Sequence, residues 1–334
     1  TAAMRKAMAE ASVGDDVFGE DPTVRSLEVR CAELFGLEAG LFVTSGTQGN
    51  LCALLTHCRP RQEVIVDGGC HVVTWEVGGW ASIAGVTTAL INAPRGVLTP
   101  ELIHAAVKPE NVHLVGSRLV WVENTHNVAG GTCTDPSEMA AIISAARQHG
   151  LEVHVDGARI FNAATALGVP VADVVEGADS VQFCLSKGLG APVGSILLGG
   201  GDFIAEARRV RKMLGGGTRQ VGVLAAAGHV ALDEILPRLP QDHANARELA
   251  ELLSDVPGLE VDLDLVETNI VFAKVAPHLG TASRFAEELE AAGVRVVGFD
   301  DRCCIRAVTY HQVSAADVQQ AAQIIHDHAL NSVV

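Results

Sequence analysis

The sequence predicts an α/β protein: a large domain on a mostly parallel sheet, followed by a small C-terminal α+β domain. Three observations predict it. Strand-like and helix-like segments alternate between about 40 and 199. The strand segments are nearly continuous in apolar residues, as strands covered on both faces are. After about residue 239 the order changes to helix, strand, helix, strand, helix. The pattern divides the chain into an N-terminal segment (1–20), a large domain (21–238) and a small domain (239–334).

The start, TAAMRKAMAE, reads as an amphipathic helix and has no apolar core of a secretion or import signal. Strand segments then follow as AGLFVTSG, EVIVDG, GVTTALINA, RLVWVEN, LEVHVDGA, DSVQFCLS and GSILLGG. Helices fill the intervals. In DPSEMAAIISAARQHG, for example, Asp135 can cap the N-terminus and Gly150 the C-terminus. A helical stretch from about 202 to 239 leads into the small domain. There we expect a helix near 242–253, a strand near 268–275, helix SRFAEELEAAG, one strand through RVVGFDDRCCIRAVTY, and helix SAADVQQAAQIIHDHAL.

Composition narrows the function. Net charge is 24 − 40 = −16 with the acidic residues spread along the chain, so neither nucleic acid nor a membrane is an expected partner. The best apolar run, VGVLAAAGHVAL, is short and contains His229, whereas a membrane span needs about 20 such residues. Eight cysteines form no CxxC pair and read as reduced, buried small hydrophobes of a cytoplasmic protein.

In a parallel sheet, ligands bind beyond the carboxyl ends of the strands, so polar residues there carry weight. Three stretches qualify. In LFVTSGTQGN a strand ends at Ser45, Gly46 and Thr47 and a helix begins at once, which suits a phosphate or an ordinary N-cap. In VHVDGARI a strand delivers Asp156 into a turn, as a ligand group or as a cap, with Arg159 following. In QFCLSKGLGAPVG a strand leads to Lys187 among Gly188, Gly190 and Gly194, which let another group come close. That lysine either snorkels or, partly desolvated, attacks carbonyls. The spacing G-x-G-x-x-x-G is one residue too long for the dinucleotide fingerprint. A phosphate turn, a carboxylate and a pocket lysine on one sheet together match pyridoxal 5'-phosphate.

The same stretches, with DDVFGEDPTV, WEVGGWA, ENTHNVAGGT, GGGTRQ and IRAVT, closely resemble the low-specificity L-threonine aldolase family across nearly the whole chain. The resemblance implies an aspartate-aminotransferase-like fold (pyridoxal-phosphate fold type I). It implies cleavage of L-threonine and L-allo-threonine to glycine and acetaldehyde, and a homo-oligomer, at least a dimer and by family a tetramer. By resemblance Lys187 is the Schiff-base lysine, Asp156 the partner of the ring nitrogen, and Ser45, Gly46 and Thr47 the phosphate turn. His71 stacks on the cofactor ring, and His126 lies near the substrate hydroxyl. Arg306 and Arg159 bind the substrate carboxylate. Lys212 and Arg219 belong to a loop that approaches the cofactor phosphate and substrate across a subunit contact.

Three departures bear on substrate preference. The family's opening Ser-Asp-Thr-rich segment, whose serine helps hold the carboxylate, is not in this sequence, which starts at Thr1. Phe18 stands where the motif has tyrosine, and Tyr310 where many relatives have histidine.

Overall fold

The computed structural model describes residues 1–331. The chain forms two compact units, one of residues 1–128 and 133–237, the other of 129–132 and 238 onward.

The first unit is built on a seven-stranded sheet. Its strands are β1 (Ala39–Val43), β2 (Glu63–Asp67), β3 (Thr87–Ile91), β4 (Ser117–Glu123), β5 (Glu152–Asp156), β6 (Ser180–Cys184) and β7 (Ser195–Gly199), in the order β1-β7-β6-β5-β4-β2-β3. All seven expected strand segments are present. Only β7 runs antiparallel to its neighbours, β1 and β6. The other six strands therefore point their carboxyl ends the same way.

Each face of the sheet is covered by helices. On one side Leu41, Val43, Val64, Val66, Leu119, Trp121 and Leu197 pack with Leu54 of the helix Gly46–His57 and Ile204 of the helix Gly201–Met213. Phe183, whose side alternates with that of Gln182 along β6, stacks on Phe35 at 5.1 Å and meets Phe161 edge-on at 5.2 Å. Those rings come from the helices Pro22–Phe35 and Ile160–Leu167. Burying three rings at such distances contributes about 0.5–1.5 kcal/mol per pair beyond the area removed from water.

The motif DDVFGEDP folds as a bracket. Asp15 accepts from Val17 N and pairs with Arg219 at 2.7 Å; buried Asp16 pairs with Arg211 at 2.7 Å; Asp21 caps the helix Pro22–Phe35 and also accepts from Gly222 N. The acidic run thus ties the chain start to the segment around the three glycines at 215–217.

The second unit carries a four-stranded sheet in the order β10-β11-β9-β8. Its strands are β8 (Leu259–Glu260), β9 (Ile270–Val275), β10 (Val297–Phe299) and β11 (Cys304–Val308). The stretch expected as one strand is an antiparallel pair, β10 and β11. A turn at Asp300–Arg302 divides it, with Cys303 at φ 49°, so the chain reverses without a glycine. Cys303 is also the exception to the buried-cysteine expectation: it is exposed, and the other seven are buried. Two residues long, β8 is too short to leave a sequence signal. Among the described residues no helix is long and apolar enough to cross a membrane.

Candidate active site

Parallel alignment gathers the last residues of three strands at one sheet edge: Asp67 of β2, Glu123 of β4 and Asp156 of β5, all buried. Register places Glu123 opposite Asp156 and Asp156 opposite Gln182.

Asp156 receives three N–H groups. Asn50 Nδ2 donates to Oδ2 at 2.8 Å, Gln182 Nε2 to Oδ1 at 3.1 Å and Ala158 N to Oδ1 at 3.2 Å. Asn50 lies in the helix Gly46–His57 and its amide also donates to Glu76 Oε1 at 2.7 Å. The same Glu76 oxygen meets His71 Nδ1 at 2.9 Å. A continuous chain, Asp156–Asn50–Glu76–His71, therefore runs from a fully buried carboxylate to an imidazole that is 29% exposed.

Lys187 follows β6 on the next strand over, half-buried at the head of the turn into β7. Gly194 closes that turn at φ 104°, and a side chain there would strike the ring of Phe42; only glycine fits. Lys187, Asp156 and Arg159 all act on the thiol of Cys184: burial pushes it up, the lysine and arginine oppose this, and the aspartate adds to it. Arg159 stands at the N-terminus of the helix Ile160–Leu167.

Ser45 caps the helix Gly46–His57, its Oγ accepting from Gln48 N at 3.1 Å. A Cβ on Gly46 would lie 2.9 Å from Cys184 Sγ, so glycine brings this helix start against β6. The opening N–H groups of the helix, those of Gly46 and Thr47, lie where no carbonyl precedes them in the helical ladder. Gly216 packs on Gln48 of that first turn, and a side chain on Gly217 would lie 3.0 Å from Lys212 Nζ. Lys212 and Arg219 themselves are exposed; Arg219 pairs with Asp15 and sits 5.9 Å over the ring of Phe18.

His126 is placed more deeply. Its Nε2 meets Asp67 Oδ1 at 3.1 Å and Cys70 Sγ at 3.8 Å, and the ring packs against Gly96 so tightly that any side chain there would collide. Burial pushes Asp67 up, but hydrogen bonds from His126, Ala93 N and Gly69 N outweigh it and hold the carboxyl below its usual range. Glu123 accepts from His71 N at 2.5 Å and Asn127 N at 2.8 Å; burial pushes it up, with His126 opposing. Arg306 belongs to the second unit, on β11, where burial lowers its pKa and its guanidinium lies 5.7 Å from the Phe299 ring.

In the first unit, Ser45, Gly46, Asp156, Arg159 and Lys187 thus converge around Gln182 and Cys184, and His71 is linked to them through Asn50. Sequence reasoning passed over Asn50, Glu76, Gln182, Glu123 and Asp67. The signal for two of them was available: Asp67 and Glu123 end apolar strands as Asp156 does.

These groups fit pyridoxal phosphate. A buried carboxylate with three N–H donors suits a protonated pyridine nitrogen, a half-buried amine suits an aldehyde, and a helix start pressed against β6 by Gly46 suits a phosphate.

Comparison with known proteins agrees. The Beta-eliminating lyase family profile matches residues 1–277. Low-specificity L-threonine aldolase 1 of Arabidopsis thaliana is 46% identical over 324 residues, covering 95% of this chain and 90% of the relative. The low specificity L-threonine aldolase of Escherichia coli (strain K12) is 40% identical, covering 96% and 93%. Among solved structures, the threonine aldolase of Leishmania major superposes with a TM-score of 0.83 at 21% identity, covering 98% and 96%. A serine palmitoyltransferase of Sphingomonas wittichii gives 0.75 at 18% identity, covering 99% and 83%. At those identities the two structures establish the pyridoxal-phosphate fold type I architecture alone, whereas the sequence relatives establish kinship: the chain belongs to the Beta-eliminating lyase family and, within it, to the low-specificity L-threonine aldolases.

Proposed function

We propose that this protein uses pyridoxal 5'-phosphate to cleave L-threonine, L-allo-threonine and other β-hydroxy-α-amino acids, reversibly, to glycine and an aldehyde. One observation carries the reading. A buried carboxylate ending β5 and a lysine following β6 lie on adjacent strands of a chain that aligns along nearly its whole length with low-specificity L-threonine aldolases.

In this reading Lys187 would offer its amine to the cofactor's aldehyde and Asp156 its carboxylate to the ring nitrogen. Ser45, Gly46 and Thr47 would hold the phosphate, and His71 would pack against the ring. The bound cofactor supplies an electron sink for a bond broken at the substrate's Cα.

The protein chooses which bond that is. Arg159 holds the substrate carboxylate, and Arg306 is assigned to the same group by family resemblance. A histidine takes the β-hydroxyl proton, a contribution of about 10² to 10⁴ in rate. Accessibility favours His71, 29% exposed, over His126, whose side chain is 3% exposed and already bonded to Asp67. Lys212 and Arg219 reach the phosphate and substrate region across a subunit contact of a dimer or tetramer working in the cytoplasm.

A second reading has one observation behind it, the family profile's own description: β-elimination on the same scaffold. Product analysis separates the two. Threonine should yield glycine and acetaldehyde, and serine or cysteine no pyruvate and ammonia at a comparable rate; the reverse result would replace the aldolase reading with the eliminating one.

A further inference from the structure

The chain that joins Asp156 to His71 fixes a proton as well as a geometry. Asn50 Nδ2 carries two hydrogens, and both have acceptors: Asp156 Oδ2 at 2.8 Å and Glu76 Oε1 at 2.7 Å. The opposite amide orientation would press Asn50 Oδ1 against two carboxylate oxygens and remove the acceptor that Gln182 Nε2 approaches at 3.4 Å. Glu76 Oε1 is therefore an acceptor toward Asn50. His71 Nδ1 lies 2.9 Å from the same oxygen, and a carboxylate oxygen has a second lone pair with which to accept from it. The other oxygen, Glu76 Oε2, is buried with no partner, so the contacts of this carboxylate with Asn50 and His71 both run through Oε1.

We propose that Glu76 is a positioning residue for His71: it holds the imidazole as the Nδ1–H tautomer and leaves Nε2, on the half-exposed ring, as the proton-accepting nitrogen. Asn50 makes the arrangement common to both ends of the site, because one amide group bonds the carboxylate facing His71 and the carboxylate of Asp156. Displacing Glu76 therefore disturbs the histidine's tautomer first and the Asp156 environment only through the remaining bonds of Asn50, while Gln182 and Ala158 keep Asp156 in place. The short helix His71–Thr74 adds a second restraint, since His71 N donates to Glu123 Oε2 at 2.5 Å and fixes where the ring starts. Glu76 sets which nitrogen is bare, and Glu123 sets where it stands.

The kinetic arm of the test rests on the aldolase reading; the proton arm does not. The full-length protein is labelled with ¹⁵N-histidine, His71 is assigned by its loss in His71→Asn, and long-range ¹⁵N–¹H correlation reports the tautomer. The wild type should show Nδ1–H. Glu76→Gln, which presents either an amide N–H or a carbonyl to Nδ1, should shift the population several-fold toward Nε2–H. In the loaded enzyme it should lower kcat by about 10²-fold with KM little changed. Glu76→Asp, shorter but still an acceptor, should keep the Nδ1–H tautomer while losing rate through misplacement. A wild-type ring found as Nε2–H, or a Glu76→Gln protein with unaltered tautomer and kcat, overturns the proposal. If Glu76→Gln does not fold, the wild-type tautomer and Glu76→Asp decide it. A wild type with the Nδ1–H tautomer that produces no glycine from threonine refutes the aldolase reading and leaves the proton assignment standing.

Discussion

Strand β5 reads E-V-H-V-D, and its polar residues Glu152, His154 and Asp156 share the face that meets the helix Gly46–His57. The two ends of that face lie roughly 13 Å apart and use buried polarity in opposite ways. At the amino end Glu152 accepts from Arg118 at 2.6 Å and His57 Nδ1 at 2.6 Å; His57 Nε2 meets Ser180 Oγ at 2.6 Å, and that hydroxyl meets His154 Nδ1 at 2.7 Å. Glu63, on β2, likewise has Lys108 at 2.5 Å. Each carboxylate there has a cation at the rim, and the network runs inward to an imidazole wholly out of water. At the carboxyl end Asp67, Glu123 and Asp156 are held by backbone, amide and imidazole N–H groups, and the network runs outward to the partly exposed His71. A Ser–His–Glu alignment exists at the amino end, yet Ser180 is 0% exposed, so it is scaffold. Connectivity alone does not mark a site; the direction in which a network meets solvent does.

The largest effect should come from the pivot of the carboxyl end. Lys187→Ala removes the amine that follows β6 at that sheet edge, and turnover should fall by at least about 10³-fold. Unfolding of the cofactor-free protein should move by no more than about 0.5 kcal/mol, because the side chain is only half-buried. Activity surviving at a tenth of wild type would remove Lys187 from the chemistry and erase the functional contrast between the two ends.

The converse substitution belongs at the other end. Ser180→Ala leaves two buried imidazoles without their shared hydroxyl, which should cost about 1–3 kcal/mol in urea or thermal unfolding with kcat and KM unchanged. A stable protein with altered KM would show that the amino end communicates with the site.

How legible was this contrast beforehand? All seven strands of the large sheet announced themselves, because short apolar runs such as SVQFC and SILLG, alternating with helical segments, fit strands buried between two layers. Lys187 and Asp156 stood out for the same reason, as charged residues closing apolar strands. Asn50 and Gln182 did not, since an amide inside a helix or strand has no signature until its neighbour across the sheet is known. Glu76 is hidden in WEVGG, where exposed Trp75 and Val77 flank a buried carboxylate, the reverse of what hydropathy suggests. The turn dividing β10 from β11 was hidden too, because DDRC lacks the glycine that usually marks one.

The smallest effect is a slope. Burial, reinforced by His57, holds the His154 pKa well below the 6.5 of a free imidazole. Below pH 6.5 the unfolded chain binds a proton at this position and the folded chain does not. Stability contributed by His154 is therefore fully present above pH 6.5 and is lost as pH falls, at about 1.4 kcal/mol per pH unit. Glu152, lowered chiefly by its His57 hydrogen bond, acts in the same direction but only below its free value of 4.5. The window between pH 6.5 and 5 therefore isolates the imidazole. His154→Asn keeps a donor near the Nδ1 position for Ser180 and cannot titrate. It should be less stable than wild type at pH 8, having lost ring contact with Trp121, whose centroid is 4.3 Å from that of His154, yet lose less stability on acidification. Histidines that do not interact with His154 are common to both proteins and cancel in the difference. Parallel stability curves from pH 8 to 5 would mean that His154 takes up its proton without unfolding, and the amino end would then be as open to protons as the end that carries His71.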